Sequence, residues 1–181
     1  MNTLISKQYI QILCLILLVS TIFGCINPSS NNSTSNSNIK QGIGSVGNSE
    51  FDLEPEWYQK SVSNYSSDFN FNGSSAGNSL VLMKIYQYPD NSGYDGDYAI
   101  NIQKASEWSV STGTKNIENI NIKTIEKSRL SGGETVLFYF FSKNGKYYQV
   151  FIDTSGAGVQ YFNKNPEIID RTINTIVKTI H

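Results

Sequence analysis

The chain is 181 residues long, with 14 basic and 15 acidic side chains, a formal net charge of −1 and 39% hydrophobic residues. That balance supplies no electrostatic footprint for nucleic acid or for an anionic membrane surface. Its two cysteines, Cys14 and Cys25, lie near the start, so the body of the chain has no disulfide and must rest on its hydrophobic core.

Lys7 precedes an apolar run, Ile12 to Phe23, of about a dozen residues, nearer a signal core than the ~20 that span a bilayer. The run closes on Gly24-Cys25. A short apolar run ending in a small residue and then a cysteine reads as a lipoprotein signal, in which residues 1–24 are removed and Cys25 is the lipid attachment point. An uncleaved anchor counted from Tyr9 is the alternative. Either reading puts the remainder on the outer face of the cytoplasmic membrane, at the cell surface.

Residues 25–47 read as a tether, because Asn27 to Asn38 contains only Asn, Ser, Thr and Pro and buries too little apolar surface to offset backbone ordering. Asn31, Asn32, Asn64 and Asn72 each open an Asn-x-Ser/Thr triplet, which marks them as candidate glycosylation sites if the host modifies exported chains. Gly42-Ile43-Gly44-Ser45-Val46-Gly47 fits the glycine pattern of a phosphate-cradling loop, but without a strand before it or a helix after it the stretch reads as flexible linker.

Residues 48–181 are the size of one domain with a sound core. Phe51-Asp52-Leu53 predicts a short strand stopped by Pro55, with Trp57 and Tyr58 as the first large aromatics, and Ser61 to Asn78 predicts a weak hairpin. Ser79 to Tyr88 alternates as a strand, with Met83 and Ile85 on one face and Tyr86 and Tyr88 on the other. Asp95 or Asp97 is then expected to cap a helix running from Tyr98 to about Ser111, before Ile120, Ile122 and Thr124 resume strand alternation and Ser131-Gly132-Gly133 turns the chain.

Asn144-Gly145 is a strong hairpin signal, because a type I′ turn needs φ > 0 at both central residues. It predicts Lys143 opposite Lys146, Phe141 opposite Tyr148, Tyr139 opposite Val150, Leu137 opposite Ile152 and Phe138 opposite Phe151. Both faces of that hairpin are apolar, so each needs a cover. A C-terminal helix supplies one, with Asn165 as expected cap, Pro166 in its first turn and Ile169, Ile173, Ile176, Val177 and Ile180 as its apolar stripe.

This order, with Phe51-Asp52-Leu53, Pro55, Trp57, the Ser131-Gly132-Gly133 turn, the aromatic hairpin and the Ile-rich last helix, resembles the Mog1/PsbP-like fold and looks most like PsbP-related lipoproteins of archaea. The resemblance implies an α+β fold, a three-layer α/β/α sandwich on a central antiparallel sheet. It also implies a non-catalytic protein without cofactor, since members of the fold act as extrinsic photosystem subunits or GTPase-binding factors. It carries over no functional residue.

Candidate chemistry is thin. Gly73-Ser74-Ser75-Ala76-Gly77 fits a serine-nucleophile elbow, yet the one histidine is His181, the last residue. Glu54 and Glu56 are spaced as strand neighbours and imply no cleft. Asp90, Asp95 and Asp97 offer oxygen ligands to Ca²⁺ or, equally, caps and turns. Tyr86, Tyr88, Tyr94, Tyr161 and Phe162 are the candidate ligand contacts, against a role as cover for sheet edges and helix ends, and Thr154 to Asn165 is the candidate binding loop. The function expected is a surface lipoprotein that binds or helps assemble a protein or envelope partner; the alternative is an envelope-directed hydrolase.

Overall fold

A computed structural model of the chain describes residues 42–71, 82–155, 162 and 165–181. In chain order the elements are β1 (Ile43–Val46), β2 (Ser49–Asp52), β3 (Trp57–Val62), β4 (Ser66–Phe71), β5 (Met83–Tyr88), α1 (Asn91–Asn101), β6 (Trp108–Ile117), β7 (Ile120–Arg129), β8 (Thr135–Lys143), β9 (Lys146–Asp153) and α2 (Glu167–Thr179). Seven strands form one antiparallel sheet in the order β3-β4-β5-β9-β8-β7-β6, beside the β1-β2 hairpin, so the described residues form an α+β domain.

The central hairpin has the register read from its turn. Lys143 pairs with Lys146, Phe141 with Tyr148, Tyr139 with Val150, Leu137 with Ile152 and Phe138 with Phe151, around Asn144 and Gly145 at φ 54° and 74°. Ile173, Ile176 and Val177 of the last helix, with Ile180 just past its end, are buried with Ile85, Phe141, Tyr148, Val150 and Ile152, as the Ile stripe requires. Glu167 and Asp170 lie in the first turn of α2 and Lys178 in the last, each favourable to the helix dipole. The cap differs from expectation: Pro166 occupies the N-cap position and no side chain caps it, so Asn165 does not hold that role.

Two further expectations are corrected. The helix expected at Tyr98 to Ser111 is α1, seven residues earlier at its start, and its cap is Asp90 rather than Asp95 or Asp97. Asp90 Oδ1 accepts from the Ser92 and Gly93 amides at 2.9 and 3.2 Å. Trp108 to Ser111 instead begins β6, where side chains alternate and β-branched residues are favoured. The stretch Gly42 to Gly47, read as linker, contains β1, which pairs with β2 from Ile43↔Asp52 to Val46↔Ser49. Gly44 is required there because a Cβ would fall within the Phe51 ring.

Opposite α2, the sheet carries a second cluster of Tyr94, Ile125, Phe138 and Phe140, with Tyr88, Tyr98, Tyr147 and Phe151 packed against it. Tyr94 of α1 meets Phe140 edge-on at 5.6 Å.

Candidate functional site

The tyrosines singled out in the sequence divide between structural duties. Tyr94 is buried among Tyr88, Phe140 and Tyr147, and burial pushes its phenol up to about 12. Tyr88 donates its hydroxyl to Asp97 Oδ2 at 2.5 Å and also meets Gln149 Oε1. A phenol has one proton, so the Gln149 amide is best turned to present its N–H₂ to Tyr88. Desolvation, then Asp97, raises the Tyr88 pKa. Tyr86 stacks 6.5 Å from Tyr88 and lies under Lys84. Phe162 is core, stacked 6.3 Å from Trp57 and tilted against Phe71 at 5.6 Å.

The carboxylates are likewise engaged. Asp90 caps α1, and the hydroxyl and amides it accepts from lower its pKa; Asp95 accepts from Asn91 and pairs with Lys123 at 3.7 Å; Asp97 holds Tyr88. Among the described residues no group of three acidic, cysteine or histidine side chains is placed to hold a metal. Glu54 and Glu56 both bind Arg171 of α2, and Glu54 also accepts from Thr175. They pin α2 to the loop before β3. His181 Nδ1 meets Thr179 O at 2.8 Å, and its backbone pairs with Glu50. Asn64 is exposed in the turn between β3 and β4, where a glycan would have room. Cys25, Asn31, Asn32, Asn72, Ser75 and Tyr161 lie outside the described residues, as does most of the candidate loop, Thr154 to Asn165.

One group that no sequence signal singled out has no partner among the described residues. Tyr139 sits in β8 on the face shared with Leu137 and Phe141, and is 8% exposed. The ring is buried but the hydroxyl is not sealed from solvent, and among the described residues it makes no hydrogen bond. It lines a groove of about 470 Å³ with Ser111 and Lys115 of β6, Thr124 and Glu126 of β7, and Asp170 of α2. Lys115 Nζ pairs with Asp170 at 2.8 Å across it. Desolvation, followed by the charges of Asp170 and Glu126, raises the Tyr139 pKa, so the phenol stays protonated and can donate. Gly113 keeps the outer wall low, since a Cβ there would crowd Thr124 Oγ1 at 3.0 Å. A second hollow of about 440 Å³ shares Glu126 and Leu137 with the first and runs towards Phe162, Pro166 and Thr154.

This arrangement can exchange several hydrogen bonds with a polar ligand: carboxylate acceptors from Glu126 and Asp170, a donor from Tyr139, an ammonium from Lys115, and an apolar floor from Leu137. The sequence hid it for a specific reason. Tyr139 reads as one more apolar residue in Phe138-Tyr139-Phe140-Phe141, and of the groove wall Ser111 was placed at the end of a helix while Gly113 and Lys115 fell in no predicted element.

No protein-family model and no characterised protein sequence matches the chain. Among solved structures, the solution structure of cyanobacterial PsbP (CyanoP) from Synechocystis sp. PCC 6803 is similar at a TM-score of 0.45 and 12% identity, over 74% of this chain and 85% of that one. A likeness of that size assigns neither family nor activity.

Proposed function

We propose that this chain is a non-catalytic, lipid-tethered binding domain at the cell surface, a PsbP-like three-layer body whose groove beside Tyr139 holds a polyhydroxylated envelope polymer. The observation that carries the reading is the Tyr139 hydroxyl, which opens on the groove beside Glu126 and Asp170 with no partner among the described residues. A ligand hydroxyl between them would donate to a carboxylate and accept from the phenol, filling a hydrogen-bonding capacity that the fold itself leaves open. The two contiguous hollows suit an extended chain of sugar units better than a single small molecule. Attachment through Cys25 would keep the groove at the envelope.

The test is calorimetric titration of the full chain with isolated envelope polysaccharide, beside Tyr139→Phe and Glu126→Gln. Saturable binding weakened about threefold to tenfold by Tyr139→Phe is expected, the worth of one hydrogen bond. Binding indifferent to both substitutions would remove the groove from the function. Release of new reducing ends during the titration would favour the hydrolase reading.

A further inference from the structure

The sheet ends on two edges, β3 and β6, and they are not alike. A free edge is a template for another strand, and proteins commonly blunt it with bulges, charges or covering segments. Edge β3 is blunted: its register shifts between Gln59 and Ser61, and Gln59 is tied to Ser45 of β1, with Nε2 donating to Ser45 O at 2.7 Å. Edge β6 is not. It pairs with β7 without interruption from Trp108↔Arg129 to Ile117↔Ile120, and Ser111 to Thr114 are exposed. Among the described residues no strand lies on its other side.

The β6-β7 turn fixes which backbone groups face outwards. Glu118 and Asn119, at φ 48° and 66°, form a two-residue loop of the type I′ kind. In such a hairpin the flanking pair, Ile117 and Ile120, is hydrogen-bonded, so the N–H and C=O groups of alternate residues Val110, Thr112, Thr114 and Asn116 point away from β7.

We infer that β6 is the interface for a second copy of this chain, paired antiparallel about a twofold axis through Thr112. In that register Thr112 faces Thr112, Val110 faces Thr114, Ser111 faces Gly113 and Ser109 faces Lys115. The outward groups then meet as hydrogen-bonded pairs and supply about eight main-chain bonds, within the range of a specific interface. Charge favours self-pairing as well. Lys115 is the one charged residue of β6 and is already neutralised by Asp170, so the register opposes no like charges. Centring on Gly113 instead would oppose two residues without side chains. The axis stands perpendicular to the sheet, so both Tyr139 grooves would open on the same side. That consequence rests on the groove reading; the pairing does not.

The test is sedimentation velocity of the full chain in detergent under reducing conditions, with Thr112→Glu, Thr112→Lys and their equimolar mixture. Wild type should dimerise reversibly. Each variant alone should raise the dimer dissociation constant about fivefold by setting like charges face to face, and the mixture should recover the dimer. Recovery in the mixture separates repulsion from misfolding. A wild type that stays monomeric at every concentration, or a dimer that both variants leave unchanged, overturns the inference.

Discussion

Under α2 the sheet meets a row of Ile side chains, a buried Trp57 and Phe51, and several polar attachments, among them Trp57 Nε1 donating to Thr172 Oγ1 at 2.9 Å, Arg171 on Glu54 and Glu56, and Lys143 on the last α2 carbonyls. Under α1 it meets tyrosine edges, with Tyr94 the one buried residue of an 11-residue helix that contains Gly93 and Gly96. Lys123 completes that face, 5.4 and 4.6 Å over the Tyr94 and Tyr98 rings. The difference is one of cooperativity. Aliphatic burial over thirteen helical residues binds α2 to the global core, whereas α1 rests on few contacts, so α1 should open locally without unfolding the domain.

The sharpest break of that comparison is in α2. Ile173 is fully buried beneath the helix, so Ile173→Ala should cost about 2–5 kcal/mol in urea unfolding through the cavity it leaves. A loss under about 0.5 kcal/mol would move Ile173 out of the core and undo the contrast. Next is Thr172→Val, which keeps the shape but strands the buried Trp57 indole N–H; about 1–3 kcal/mol should be lost. Trp57→Phe in the Thr172→Val background should recover part of it, because the orphaned donor is then gone.

A smaller and local effect belongs to α1. The folded-state pKa of Asp90 is depressed, by the Ser92 hydroxyl first and then by the Gly93 amide. A group of this kind stabilises above its unfolded pKa of about 3.9 and loses that contribution as pH falls through the lower folded value. The α1 amide and side-chain NMR signals should therefore show fraying below about pH 4 before those of α2, and Asp90→Ala should bring the same fraying to neutral pH. Equal changes in both helices would show that α1 is part of one cooperative unit.

The same contrast explains what the sequence disclosed. Asn144-Gly145 and the Ile stripe of α2 were legible because local turn chemistry and a full helical period agree with the packing. Helix α1 was misplaced because Tyr98, Ile102 and Ala105 mimic a stripe while the true start is set by Asp90 and one buried Tyr94. Strand β6 was missed because an edge strand of Ser, Thr and Gly buries little on either face and so shows little alternation. β1 was taken for linker because its one glycine, Gly44, is needed by Phe51, a contact no local pattern announces. The groove fell with β6, since Ser111, Gly113 and Lys115 form its outer wall.

The smallest expected change in stability is the most informative about that groove. Removing one partner of a buried hydrogen bond is costly because the other is left orphaned, but the Tyr139 hydroxyl leaves no orphan behind among the described residues. Tyr139→Phe should thus change unfolding free energy by no more than about 0.5 kcal/mol, or stabilise the domain, while the aromatic ring keeps its packing beside Leu137 and Val150. A core tyrosine held only for its fold would lose stability on the same change, because its hydroxyl would have a partner to leave. Stability retained with polymer binding weakened would mark Tyr139 as a residue kept for what it contacts rather than for what it supports, and a stability loss above about 1 kcal/mol would show that the hydroxyl has a structural partner after all.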